Sequence, residues 1–193
     1  MWTIPNQITL FRIILIPVFI IVFYLPVSWN NFGAFAVFWF AAISDALDGY
    51  LARKLNQSSA FGAFIDPVAD KLMVAAALIM IAEDYQNWYI AVPAMVMISR
   101  EIFISALREF MSSRGKRDIV AVSTLGKYKT AAQMLGIMGL IWQPNASDAV
   151  LNFLYVPYQL INVAAYIFYA IATILTVWTM VIYFKAAWPE LKE

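Results

Sequence analysis

The chain has 193 residues, 63% of them hydrophobic and only 13% charged, against roughly 45–50% apolar and 25% charged in an average soluble domain. At about 20 residues per spanning helix this is the composition of a membrane protein with room for roughly six spans and little else. The absence of cysteine and histidine excludes thiol nucleophiles, disulfides, cysteine or histidine zinc sites and imidazole acid–base chemistry, and a net charge of +1 excludes general nucleic-acid binding.

From Ile13 to Ser44 no residue is charged. The run is too long for one helix, and Pro26, Ser28, Asn30 and Asn31 break it near the middle. Two spans are therefore predicted, at about 8–26 and 32–54. No basic segment precedes the first apolar stretch and no small-residue cleavage site follows it, so we expect this segment to be retained. Further apolar segments run from about 63 to 82, 88 to 112, 127 to 143 and 158 to 185, separated by Glu83-Asp84, by Ser112 to Asp118 and by Gln143 to Pro157. The uncharged stretch from Ala149 to Phe184 exceeds one span, and Pro157 is expected to part an interfacial piece from the last helix. No repeat, low-complexity tract or long linker is visible, so residues 1–193 are expected to form one domain.

Lysine and arginine set the orientation. The connections at about 27–31, 83–87 and 144–157 contain neither, whereas the opposite ends carry Arg53 and Lys54, then Arg108, Arg114, Lys116, Arg117, Lys127 and Lys129, then Lys185 and Lys192. An all-α integral membrane protein with six transmembrane helices and both termini cytoplasmic is the predicted fold. Trp29, Trp88, Tyr89, Trp142 and Trp188 fall near span ends, where aromatic rings settle in the headgroup layer.

Most of the spans are bare of charge, yet Asp45, Asp48, Asp66 and Asp70 crowd into 26 positions at the end of the second and the start of the third. The first two are three apart and the last two four apart, so each pair shares one helix face. Antiparallel neighbours joined by a short turn would bring all four together at the cytoplasmic interface. There they would repel one another and take up protons unless cations compensate. An all-oxygen donor set selects hard divalent ions, Mg²⁺ or Mn²⁺ where phosphates complete the shell. The bland alternative makes them helix caps or interface charges paired with Arg53 and Lys71, but four ionisable groups on two faces inside a membrane segment favour function.

The stretch reads Asp45-x-x-Asp48-Gly49-x-x-Ala52-Arg53, eight residues, Gly62, three residues, Asp66, three residues, Asp70. It resembles the CDP-alcohol phosphatidyltransferase signature, D-x-x-D-G-x-x-A-R-x8-G-x-x-x-D-x-x-x-D, at every fixed position. Within that family, Ile4-Pro5-Asn6, Thr9, Arg12, Arg100-Glu101, Ser105 to Phe110, Gly115-Lys116-Arg117, Val120 to Ser123, Gly126-Lys127 and Lys129-Thr130 resemble the bacterial phosphatidylglycerophosphate synthases. The likeness weakens after about Pro144.

What this resemblance implies is transfer of the phosphatidyl group of CDP-diacylglycerol to sn-glycerol 3-phosphate, giving phosphatidylglycerophosphate and CMP, in the bacterial cytoplasmic (inner) membrane. Two ions, Mg²⁺ or Mn²⁺, would be held by Asp45, Asp48, Asp66 and Asp70, with Asp70 also the general base. Gly49 and Ala52 would line the cytidine pocket and Arg53 would support the diphosphate, with Gly62, Asn6 and Thr9 also on the CDP-diacylglycerol side. Arg100, Arg108, Lys127 and Lys129 would bind glycerol 3-phosphate. A homodimer surrounded by membrane lipids, with no nucleic-acid partner, completes the expectation.

The physical logic of the ions is independent of the name. Cations at a diphosphate neutralise it and stabilise the departing nucleotide, which supplies most of what phosphoryl transfer needs. The basic cluster is less specific, because orientation and anionic headgroups also account for it. Arg100 lies deeper than orientation requires, which favours a phosphate-binding role. Serine, inositol or phosphatidylglycerol as acceptor are the alternatives within the family. A divalent-cation transporter is the alternative outside it, although transporters place their sites at the midplane between repeats.

Overall fold

The computed structural model describes residues 4–55, 60–120, 124–143 and 157–192, and every regular element among them is helical. In chain order these are α1 (Ile4–Phe23), α2 (Asn30–Leu55), α3 (Ala60–Tyr85), α4 (Trp88–Ser113), a 3-10 turn (Arg117–Val120), α5 (Thr124–Trp142) and α6 (Tyr158–Leu191). Each apolar segment read from the sequence is one helix, but the boundaries move. α1 is already helical at Ile4, the first described residue, earlier than its apolar run suggests. It ends at Phe23 rather than 26. Asn30, expected in the break, instead opens α2 and donates from Nδ2 to the Phe23 carbonyl at 2.9 Å, satisfying one of the acceptors that a helix end leaves free. α3 runs through Glu83-Asp84 and stops where Gln86 takes a left-handed φ of 48°. The expected interfacial piece before Pro157 lies outside the described residues, as do the side chains of Asp48, Gly49, Ala52 and Arg53.

The end of α4 is fixed locally. Gly115 has φ +71°, its N–H donates to Ser112 O at 3.0 Å, and the Lys116 N–H donates to Met111 O at 2.9 Å. This is a Schellman ending, which requires the left-handed residue that glycine supplies without steric cost. Beyond it Arg114 donates to the Glu190 carbonyl at 2.8 Å and Lys116 pairs with the Glu190 carboxylate at 2.5 Å, so the end of α4 is tied to the end of α6.

Among the described residues, three helical segments are long and apolar enough to cross a bilayer: Asn6–Phe23, Trp88–Ser113 and Tyr158–Leu191, with mean hydropathy 2.1, 1.7 and 2.0. Large apolar side chains such as Ile14, Ile21, Phe64, Ile102 and Ile174 point outward. Such a surface suits hydrocarbon rather than water.

α1 packs on α2 and α3, α5 lies against α6 and α2, and α4 bridges α3 and α6. Phe19, Phe38, Leu78, Ile81, Met97 and Ile137 lie at the centre of the main core. α5 and α6 approach so closely that a Cβ on Gly136 would stand 2.7 Å from the Tyr169 amide nitrogen, and one on Gly139 would stand 2.5 Å from the Ala165 Cβ. Small residues permit that backbone approach where lipid gives no hydrophobic drive to helix pairing. A second cluster of Ile104, Leu107, Met111, Val120, Tyr183 and Ala187 fastens the 3-10 turn to α4 and α6.

Candidate active site

Arg12 is the one charged residue before Asp45, and it is almost wholly buried on α1, in line with buried Asn6 and Thr9 at three-residue steps. Its Nη1 donates to Asp45 Oδ1 on α2 at 2.7 Å and to Asp66 Oδ1 on α3 at 3.1 Å. Both carboxylates are nearly half exposed, at 43% and 44%, while the arginine is 2% exposed. The buried cation therefore draws two acidic groups from different helices to one point and leaves their outer faces open. Of the expected partners, Lys71 instead donates to Ser105 Oγ at 2.5 Å, and the Arg53 side chain lies outside the described residues.

Asp70, one turn beyond Asp66, borders the same small space as Arg12 and Asp45. On its other side it lines a polar cavity of about 280 Å³, walled also by Lys71, Arg100, Glu101, Arg108, Lys129 and Tyr183. Of the basic residues singled out from the sequence, Arg100, Arg108 and Lys129 are brought together there. Lys127 is exposed and outside that lining.

The cations of this cavity are held in detail. Arg100 is buried on α4, with Nη1 on Glu101 Oε1 at 3.0 Å and Nη2 on Thr179 Oγ1 at 3.2 Å. Lys129, buried on α5, reaches the same Oε1 of Glu101. Tyr183 presents its ring to both arginines, 5.9 Å from the Arg100 guanidinium carbon and 5.4 Å from that of Arg108, which suits a ring quadrupole facing cations. Arg108 also donates from Nε to the Val120 carbonyl at 3.3 Å.

Among the described residues no three carboxylates are grouped so as to hold a metal ion; the Asp48 side chain lies outside them. The chemistry of the set nevertheless fits a divalent cation. Its donors are all carboxylate oxygens, and a positive group, the Arg12 guanidinium, already stands between two of them. Hard ions such as Mg²⁺ and Mn²⁺ take such ligands.

The sequence model of the CDP-alcohol phosphatidyltransferases matches residues 2–184. The chain belongs to that family. It is 48% identical over 192 residues to the CDP-diacylglycerol–glycerol-3-phosphate 3-phosphatidyltransferase of Escherichia coli K12, covering 100% of this chain and 98% of the relative. The enzymes of the same name from Shigella sonnei and Shigella flexneri serotype 5b are 48% and 49% identical with the same coverage. Members of the CDP-alcohol phosphatidyltransferase family generally depend on divalent metal, in keeping with the acidic half of the site.

Sequence reasoning gave no role to Arg12, Glu101, Thr179 or Tyr183. A signal existed for the first, since a lone charge in an otherwise uncharged helix must find a partner. The threonine and tyrosine carried none, because hydroxyl-bearing residues are ordinary in a membrane helix.

Proposed function

We propose that this protein transfers the phosphatidyl group of CDP-diacylglycerol to sn-glycerol 3-phosphate, giving phosphatidylglycerophosphate and CMP. The observation that carries this reading is the position of Asp70, which borders the acidic group around Arg12 on one side and the basic cavity on the other. A nucleotide diphosphate belongs on the acidic side with its cations, and a phosphate-bearing acceptor belongs on the basic side. Asp70 stands where the two would meet.

On this reading Asp45, Asp48, Asp66 and Asp70 would hold two divalent ions, Mg²⁺ or Mn²⁺. When bound, these ions neutralise the diphosphate and polarise the phosphorus under attack. Arg12 keeps Asp45 and Asp66 converged. Asp70 accepts the proton of the acceptor hydroxyl as its oxygen bonds to the phosphatidyl phosphorus and the bond to CMP breaks. Arg100, Arg108 and Lys129 hold the acceptor's phosphate, with Lys127 at the approach. Gly49, Ala52, Arg53, Gly62, Asn6 and Thr9 form the CDP-diacylglycerol side.

The same reading gives one domain over residues 1–193, six spans with both termini cytoplasmic, the site at the cytoplasmic interface of a bacterial inner membrane, and a homodimer. The lysine and arginine distribution supports the orientation, and the exposed apolar surface supports the membrane setting. The test is CMP release from CDP-diacylglycerol by detergent-purified protein, offered glycerol 3-phosphate, serine, inositol or phosphatidylglycerol separately, with Mg²⁺, Mn²⁺ or chelator. Release only with glycerol 3-phosphate and a divalent ion is expected. Equal release with serine or inositol would reject the acceptor.

A further inference from the structure

Two cations from different helices, Arg100 of α4 and Lys129 of α5, converge on a single oxygen, Oε1 of Glu101. Both are buried, and without an anion between them they would repel in a poorly hydrated space. Their supports are unequal. Arg100 is also held by Thr179 and faced by the Tyr183 ring. Lys129 is tied through its ammonium to Glu101.

We propose that Glu101 is a positioning residue for the acceptor's phosphate. Its carboxylate fixes the Lys129 ammonium beside Arg100 in the wall of the cavity, so that the two present converging donors to one phosphate group. Lys71, Arg100, Arg108 and Lys129 bring four positive charges to that cavity against the carboxylates of Asp70 and Glu101, and Glu101 cancels one of the four. The remaining excess suits a phosphate while keeping the empty cavity from repelling itself apart. The carboxylate acts through the lysine and touches no reacting atom. This inference rests on the acceptor proposed above.

The experiment compares wild type, Glu101→Gln, Glu101→Asp, Lys129→Ala and the Glu101→Gln/Lys129→Ala double variant. CMP release is measured against glycerol 3-phosphate and against CDP-diacylglycerol, with inorganic phosphate as a competitor. Losing one charge-assisted contact should raise KM for glycerol 3-phosphate about tenfold in Glu101→Gln. Inhibition by phosphate should weaken to a similar degree, with KM for CDP-diacylglycerol unmoved. Glu101→Asp should recover part of the loss. Lys129→Ala should match Glu101→Gln, and the double variant should add little, because the two residues act as a unit. A fall in kcat at unchanged acceptor KM would make Glu101 a structural tie only. A lower acceptor KM would make it a competitor of the phosphate, and additive losses would separate it from Lys129; each overturns the proposal. Wild-type protein that releases no CMP with glycerol 3-phosphate would instead reject the acceptor, and this inference with it.

Discussion

Arg12 on the first helix and Asp45 on the second meet at 2.7 Å, and the same guanidinium nitrogen reaches Asp66 on the third at 3.1 Å. One buried cation thereby sets the separation of two carboxylates that are 21 residues apart in the chain. It also makes α1, which carries no residue of the aspartate signature, part of the site's frame.

Replacing Arg12 by Ala should therefore destabilise the metal-free protein. Because both carboxylates are nearly half exposed, solvent screens much of the pairing, and the loss should be about 1–2 kcal/mol rather than that of a fully buried pair. Thermal unfolding in chelator and in Mg²⁺ checks this. The deficit should shrink in Mg²⁺, since a divalent ion compensates the same carboxylates, and an equal deficit in both conditions would show that the aspartates share no ion.

The aspartates should separate by role. Asp48→Asn is expected to lose metal-dependent CDP-diacylglycerol binding and turnover together. Asp70→Asn should keep most of the binding while turnover falls by about 10²–10⁴, the usual contribution of a general base. Binding with and without Mg²⁺, measured beside CMP release, decides it. Equal loss of binding in both variants would make Asp70 a necessary ligand and leave its role as base unsupported.

Glycerol should be a poor substitute for glycerol 3-phosphate, because a site built for an anion loses its charge-assisted contacts when the phosphate is absent. Arg108→Ala should chiefly raise the acceptor concentration required. If only the CDP-diacylglycerol dependence moves, Arg108 serves the other substrate.

The sequence carries the fold more openly than the site. The six long helices among the described residues were legible as apolar runs, and three of them are long and apolar enough to cross a bilayer. Their ends were not: Asn30 looks like a loop residue in sequence, yet its side chain caps α1 across seven residues. That Asp45, Asp66 and Asp70 lie together was legible from helical spacing and the antiparallel order of adjoining spans. The contacts that organise them were not, since Arg12 finds its partners 33 and 54 residues away and Arg100 meets Thr179 across 79 residues. Local periodicity says which face a residue occupies and nothing about which distant face it meets.

The close contact of α5 and α6 predicts that Gly136→Ala will be costly although the substitution adds one methyl group. The new Cβ would lie 2.7 Å from backbone rather than from the end of a movable side chain, so two helices must part to admit it. A loss of about 1–3 kcal/mol is expected, the usual cost of overpacking. Thermal unfolding in detergent measures it, and an unchanged midpoint would show that the two helices separate at that point without cost.

Because the chain has no cysteine, single cysteines report topology without background. Those placed at Asn30, Asp84 and Ser147 should react with an impermeant reagent from outside the cell, and those at Gln57 and Ser113 should not. Strong outside labelling at Gln57 would reverse the orientation, since the distribution of Lys and Arg admits one solution.

α6 has 34 residues and is therefore about 51 Å long at 1.5 Å per residue, well beyond a hydrocarbon layer of about 30 Å. Part of it must lean within the bilayer or project beyond it, and its last turn is the part that grips Arg114 and Lys116 through Glu190. On the membrane setting proposed above, the helix would act as a lever between lipid and enzyme. A thicker membrane would stand it upright and a thinner one would tilt it, carrying Thr179 and Tyr183, and with them the two arginines, along the membrane normal. Turnover by this protein should consequently depend on the acyl length of the lipid around it as well as on the lipid it consumes.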